Sequence, residues 1–171
     1  MSKYIVDANV ILLTDVSKIP VEQLKCAQKC VRFLQNFMNN PDASIVLDAE
    51  GRVIKEYRRA FERNRDPNMA TEFCKWVHQH MPKNAEDFLS LRELSENEFE
   101  SYPDSKKLKE FDPPDRKYIA LAYNHCEKPP IVEASDSKWW GIKDELEGYE
   151  IGICFIDEDY IKEKYMQKIG V

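Results

Sequence analysis

No apolar run in this chain of 171 residues approaches the roughly 20 residues of a bilayer-spanning helix, which excludes such a helix. The chain opens without a basic region followed by an apolar block and small residues. No secretory leader is therefore expected, and the reading is a cytoplasmic protein with no membrane partner. A Gly-rich phosphate loop and an Asp-nucleophile motif are both missing, which counts against a small-molecule phosphohydrolase. Positive charge is not in excess: the net charge of −6 argues against a protein that coats nucleic acid without specificity. The cysteines are few and odd in number (Cys26, Cys30, Cys74, Cys126 and Cys154), and most sit in apolar patterns. They read as reduced, buried thiols, and Cys26 with Cys30 lacks a second pair for a zinc site. Histidine is scarce as well. His78 and His80, two apart on a helix, face different sides and make a poor metal pair, and with His125 they read as structural or surface residues.

What is present is an ordinary globular composition, 43% hydrophobic and 33% charged, in a length that suits one domain over residues 1–171. Tyr4-Ile5-Val6 reads as a core parallel strand, apolar on both faces. Further strands are expected at 44–48, 131–136 and 151–156. Helices are expected at 21–38, from Arg52 to about Asn64, at 69–81, from Asp112 onward and at 159–169, with a turn or short helix at 139–147. Strands alternating with helices predict an α/β fold, a three-layer α/β/α sandwich around a mainly parallel sheet. The span 84–115 holds ten acids against four bases, a difference of six that equals the whole net charge. Within it, residues 84–111 read as an acidic insertion, a helix near 84–94 followed by a mobile segment, serving as a lid or a partner surface.

The carboxylates carry the chemistry. An Asp inside an apolar run is costly unless it stands at a strand tip, so Asp7 marks the carboxyl edge of the sheet, where ligands bind in open α/β folds. Asp136 ends the third strand in the same way. Glu56 lies early in the helix after the second strand, and Asp115 lies in the first turn of the helix before the third, so topology brings all four to one edge. Carboxylates crowded together repel unless protonated or bound to a cation. An oxygen-only set suits Mg²⁺ or Mn²⁺, and one or two such ions serve phosphodiester cleavage. Arg52, Lys55, Arg58, Arg59, Arg63 and Arg65 give a local basic surface beside the acids, suited to a phosphate backbone, with a solvated helix face as the alternative. Trp139 and Trp140 are candidates to stack on bases, although at least one is expected in the core.

Tyr4-Ile5-Val6-Asp7-Ala8-Asn9-Val10-Ile11, Glu56-Tyr57, the run Asp115-Arg116-Lys117-Tyr118-Ile119-Ala120-Leu121-Ala122 and the run Ala134-Ser135-Asp136-Ser137-Lys138-Trp139-Trp140 together resemble the PIN-domain nucleases. The resemblance spans nearly the whole chain and lies in the order and spacing of short motifs. It implies a PIN-like sandwich and a metal-dependent endoribonuclease, with Asp7, Glu56, Asp115 and Asp136 as the catalytic and metal-binding quartet. Asn9 and Ser135 are implied as supporting polar residues, and Arg58, Arg59 and Lys138 as substrate-binding bases. Many small bacterial members are toxins held by an antitoxin, and pairing through a helical face is common, so RNA, an antitoxin or other protein partner, and a second copy are the implied partners. A catalytically weak RNA-binding or partner-docking module is the alternative. The chain departs from the family where Lys138 stands in place of a further acid; this puts a second metal in doubt or lets the ammonium substitute for it. Asp48 and Glu50 compete with Glu56 for the second acid, and Asp112 competes with Asp115 but reads better as a helix cap.

Overall fold

The computed structural model describes residues 2–62 and 67–170. The opening apolar run does two things. Its first half is β1 (Ser2–Val6), and after Asp7 it turns at once into a short helix, α1 (Ala8–Leu12). Sequence reading did not foresee α1, because Val10, Ile11 and Leu12 continue an apolar pattern that five residues cannot assign to a period. Two 3-10 turns (Val16–Lys18 and Val21–Gln23) lead into α2 (Leu24–Asn39), whose buried side takes Cys26, Ala27, Cys30, Leu34 and Phe37, so both thiols act as small core hydrophobes.

The next strand changes partner halfway. β2 (Ala43–Ile45) pairs with β1, the N–H of Val46 still donates to Tyr4 O, and β3 (Leu47–Asp48) then pairs with β4 (Phe88–Leu89). Between them run α3 (Arg52–Glu62) and α4 (Met69–Gln79). The bases Arg63 and Arg65, and the expected end of α3 near Asn64, lie outside the described residues. The expected helix near 84–94 is not formed. The segment is instead a turn, β4, and an antiparallel hairpin of β5 (Glu93–Ser95) and β6 (Glu98–Phe99), followed by α5 (Lys106–Lys109). Nor is it an appended surface stretch: Leu91, Phe99, Leu108 and Phe111 are all buried in the main core cluster. Its acids are used locally, and Glu50, Arg52, Glu93 and Ser90 tie the hairpin to the start of α3. The acid-rich composition describes the outer face and hides the four apolar anchors.

A 3-10 turn (Pro113–Asp115) opens α6 (Arg116–Asn124), which is followed by β7 (Ile131–Glu133), α7 (Lys138–Glu147), β8 (Ile153–Phe155) and α8 (Glu158–Ile169). The central sheet has the order β2-β1-β7-β8, all parallel, and the architecture is the expected three-layer α/β/α sandwich. Helix α6 lies against β1 and β7, α1 to α4 pack on one another, and α7 packs on α5 and α8. The register pairs Ile5 with Ile131 and Val6 with Val132. One step further, Asp7 comes level with Glu133, and the N–H of Asp7 donates to Val132 O at 3.0 Å. The third strand therefore ends at Glu133, three residues short of the expected Asp136. Trp139 is fully buried, 4.8 Å edge-on from Phe111, so of the two candidate stacking tryptophans this one belongs to the core.

Candidate acidic site at the carboxyl edge of the sheet

Asp7 is the first residue beyond β1 and the N-cap of α1. Its Oδ1 accepts from Asn9 N–H at 2.8 Å, which fixes the carboxyl at the sheet edge. Its other oxygen faces Glu133. The Glu133 Oε1 accepts the N–H groups of Ser135 and Asp136 at 2.9 and 2.8 Å and so shapes the loop that carries Asp136. Asp7 Oδ2 and Glu133 Oε2 are both buried with no hydrogen-bond donor among the described residues. Burial, reinforced by the Glu133 charge, pushes the Asp7 carboxyl well above the usual carboxylate range, and burial pushes Glu133 up to about 7. Two buried carboxyls facing each other in this way disfavour a second negative charge on the pair.

Glu56 reaches the same edge from the second turn of α3. Both of its oxygens are engaged by α6: Lys117 Nζ donates to Oε1 at 2.8 Å and Tyr118 O–H to Oε2 at 2.6 Å. Tyr118 also accepts from Ala8 N–H at 3.2 Å, and Tyr57 O–H donates to Val6 O. The first turn of α1, the tip of β1, α3 and α6 are thereby tied together beneath the acids. Replacing Lys117 with Met should cost about 2 kcal/mol in urea unfolding, less than the roughly 3–5 kcal/mol of a fully buried broken pair because Glu56 still reaches solvent. An unchanged unfolding midpoint would mean that the Lys117 ammonium does not hold α6 to α3.

Asp115 stands at the start of α6. Burial first, then the charges of Asp7, Asp112 and Asp136, push its carboxyl up to about 7 against the pull of Lys117. Asp112, Asp115 and Asp136 each offer an oxygen within 4.8 Å of the others. Here the expectation for Asp112 is corrected: its side chain makes no cap bond to the 3-10 turn and instead forms an ion pair with Lys138 Nζ. Lys138 N–H in turn is capped by Asp136 Oδ1 at 3.0 Å. Sequence reading set Asp112 aside because Asp before Pro-Pro is a good cap by type; but Pro113 and Pro114 have no N–H, and the N–H of Asp115 donates to the Asp112 backbone carbonyl at 3.0 Å, so no donor is left for the Asp112 side chain.

A cleft of about 220 Å³ joins Asp7, Asn9, Glu56, Arg59 and Asp115. Of the expected site residues, these five share one opening, and Asp136 meets Asp115 from the adjoining loop. The expected basic pair divides. Arg59 lines the acidic cleft, whereas Arg58 lines a separate groove of about 420 Å³ between α3 and α4 with Phe61, Cys74 and Val77. Ser135 contributes through its backbone, its N–H to Glu133 and its carbonyl to Lys164 Nζ at 2.5 Å. The rival acids are structural: Asp48 caps α3 through the N–H groups of Arg52 and Val53 at 2.7 and 2.9 Å, and Glu50 accepts from Arg52 and Leu91 N–H. Glu133 is the acid that sequence reading missed. Its signal was present: a carboxylate ending an apolar strand, the same argument that singled out Asp7.

No protein-family model, curated protein or solved structure matches this chain.

Proposed function

We propose that this protein is a metal-dependent endoribonuclease of the PIN type that hydrolyses RNA phosphodiester bonds at the acidic edge. The observation that carries the reading is that Asp7, Glu56 and Asp115, from three distant segments, line one cleft and Asp136 meets Asp115 at its side, while a buried Asp7 oxygen has no donor among the described residues. Such an arrangement is costly without a cation, and its oxygen-only donors fit Mg²⁺ or Mn²⁺. Asp7, Asp115 and Asp136 would hold the ion, with Glu56 beside them. A bound ion supplies Lewis acidity and a lowered water pKa for attack on phosphorus. Arg59 places a positive charge on the cleft wall, where it can hold a phosphate of the backbone. Lys117, held against Glu56, keeps that carboxylate oriented.

Incubating a single-stranded RNA oligonucleotide with the protein and Mn²⁺ should give internal cleavage products that EDTA abolishes. Arg59→Ala should weaken RNA binding several-fold and flatten its salt dependence by about one phosphate contact, while Arg58→Ala leaves both unchanged, as read by fluorescence anisotropy over a KCl series. Equal effects of the two substitutions would move the RNA path out of the cleft. One observation favours a second reading, a PIN-like module that binds RNA or a partner without cutting it: both oxygens of Glu56 are already engaged by Lys117 and Tyr118. RNA that is bound but remains intact with Mn²⁺ and with Mg²⁺ selects that reading.

A further inference from the structure

We propose that Glu133 is a positioning residue for the reaction at the acidic edge: without touching RNA, it fixes the loop that presents Asp136. The inference deepens the nuclease reading above and rests on it. Glu133 ends β7, is fully buried and does not line the cleft. One of its oxygens, Oε1, accepts two successive backbone N–H groups, from Ser135 at 2.9 Å and from Asp136 at 2.8 Å. Among the described residues no other acceptor meets these two N–H groups. The carbonyl side of the same loop is held from elsewhere. Cys26 Sγ–H donates to Ala134 O at 3.2 Å, Lys164 Nζ to Ser135 O at 2.5 Å and Trp139 N–H to Asp136 O at 3.2 Å. The carbonyls thus take donors from α2, α8 and α7, whereas the two N–H groups depend on one carboxylate oxygen.

Asp136 is the residue that this loop places. Its Oδ1 accepts from Lys138 N–H at 3.0 Å, and its carboxyl meets that of Asp115 at the start of α6. Asp115 in turn lines the cleft with Asp7. A loop released from Glu133 would carry the Asp136 carboxyl away from Asp115, and misplacement by about 1 Å costs a reaction of this kind up to about a hundredfold. What the loop requires of Glu133 is an acceptor at that reach, not a negative charge. A Gln supplies the same acceptor oxygen, and its amide N–H can meet the donor-less Oδ2 of Asp7. A Leu of similar size supplies neither.

The test compares Glu133→Gln with Glu133→Leu in RNA cleavage at saturating Mn²⁺, and follows amide hydrogen exchange of Ser135 and Asp136 by NMR on the metal-free proteins. Glu133→Gln should cleave within about threefold of wild type and keep both amides protected, because the acceptor remains. Glu133→Leu should lose about tenfold or more in kcat, the loss that partners of metal-binding residues produce, with KM for RNA unchanged and both amides exchanging freely. Glu133→Met takes its place if the leucine variant does not fold; if neither folds, Glu133 is a folding residue and the inference is overturned. It is also overturned if Glu133→Gln loses as much as Glu133→Leu, since the charge itself would then act, or if Glu133→Leu cleaves like wild type. Each of these results leaves the nuclease reading standing. No cleavage by wild type with Mn²⁺ or Mg²⁺ overturns that reading, and this role with it.

Discussion

Asp7→Asn should lower RNA cleavage by at least about a hundredfold, the loss that even outer partners of a metal site produce, while the metal-free variant melts at the wild-type temperature or above it. The two halves of this result have one cause. The Asp7 carboxyl is held at the edge by Asn9 N–H and faces Glu133 with a buried oxygen that has no donor. An Asn keeps the capping oxygen and places an amide N–H toward Glu133, so the variant relieves a repulsion that wild type resolves only with a proton or a cation. Loss of activity with loss of folding would instead mark Asp7 as a structural residue. Cleavage assays and thermal melts on the same preparations separate these outcomes, and full activity in Asp7→Asn would falsify the assignment of the site.

The metal-free wild type should lose several degrees of melting temperature between pH 5.5 and pH 8, and saturating Mn²⁺ should restore them. The sign follows from the carboxyls whose folded-state values are raised. Asp7 lies well above its ordinary value, and Asp115 and Glu133 lie at about 7. Between the ordinary carboxylate range, near 4, and about 7, the folded protein binds more protons than the unfolded chain, so its stability falls as pH rises through that window. Near pH 5.5 the folded protein still keeps these protons; by pH 8 it must carry the charges unneutralised. A divalent ion takes over the role of the protons. At a hundred times its dissociation constant it adds about 2.7 kcal/mol, and the gain should be larger at pH 8, where the ligands are ionised. A melting temperature that rises with pH in EDTA would mean that the edge carboxyls are not crowded as described. Asp7→Asn should flatten the pH slope, because the largest of the raised groups is gone.

The fold was legible to the extent that its strands and helices are long or strongly patterned. Helix α2 and the sheet strand Ile131-Val132 lie where their apolar patterns predict them, α7 falls on the span expected as a turn or short helix, and the parallel α/β/α architecture follows from their alternation. The errors cluster in short elements. Helix α1 has five residues, and the strands β4 to β6 have two or three each, which is too few for a period to emerge. In the acidic stretch, composition was a poor guide because Leu91, Phe99, Leu108 and Phe111 are widely spaced among charged residues, yet they anchor the whole segment in the core.

The same division runs through the candidate site. Asp7 could be placed at a strand tip from the cost of a carboxylate in an apolar run, and Asp115 from the position of its helix, whereas Asp136, expected to end the third strand, lies in the loop three residues beyond it. That argument applied equally to Glu133, and only the register that sets Val6 against Val132 brings Glu133 beside Asp7. Sequence alone determined which residue types the carboxyl edge holds, because strand polarity sends every strand end and every following helix start to one side. Tertiary structure decided which of those acids remain uncompensated. Lys117 reaches across to Glu56, Lys138 turns to Asp112, and Arg52 with the α3 N-terminus takes Asp48. The Asp48 pairing is local, but the Lys117–Glu56 and Lys138–Asp112 pairings join residues far apart in the chain, and only packing at a distance of a few ångströms determines which charge meets which.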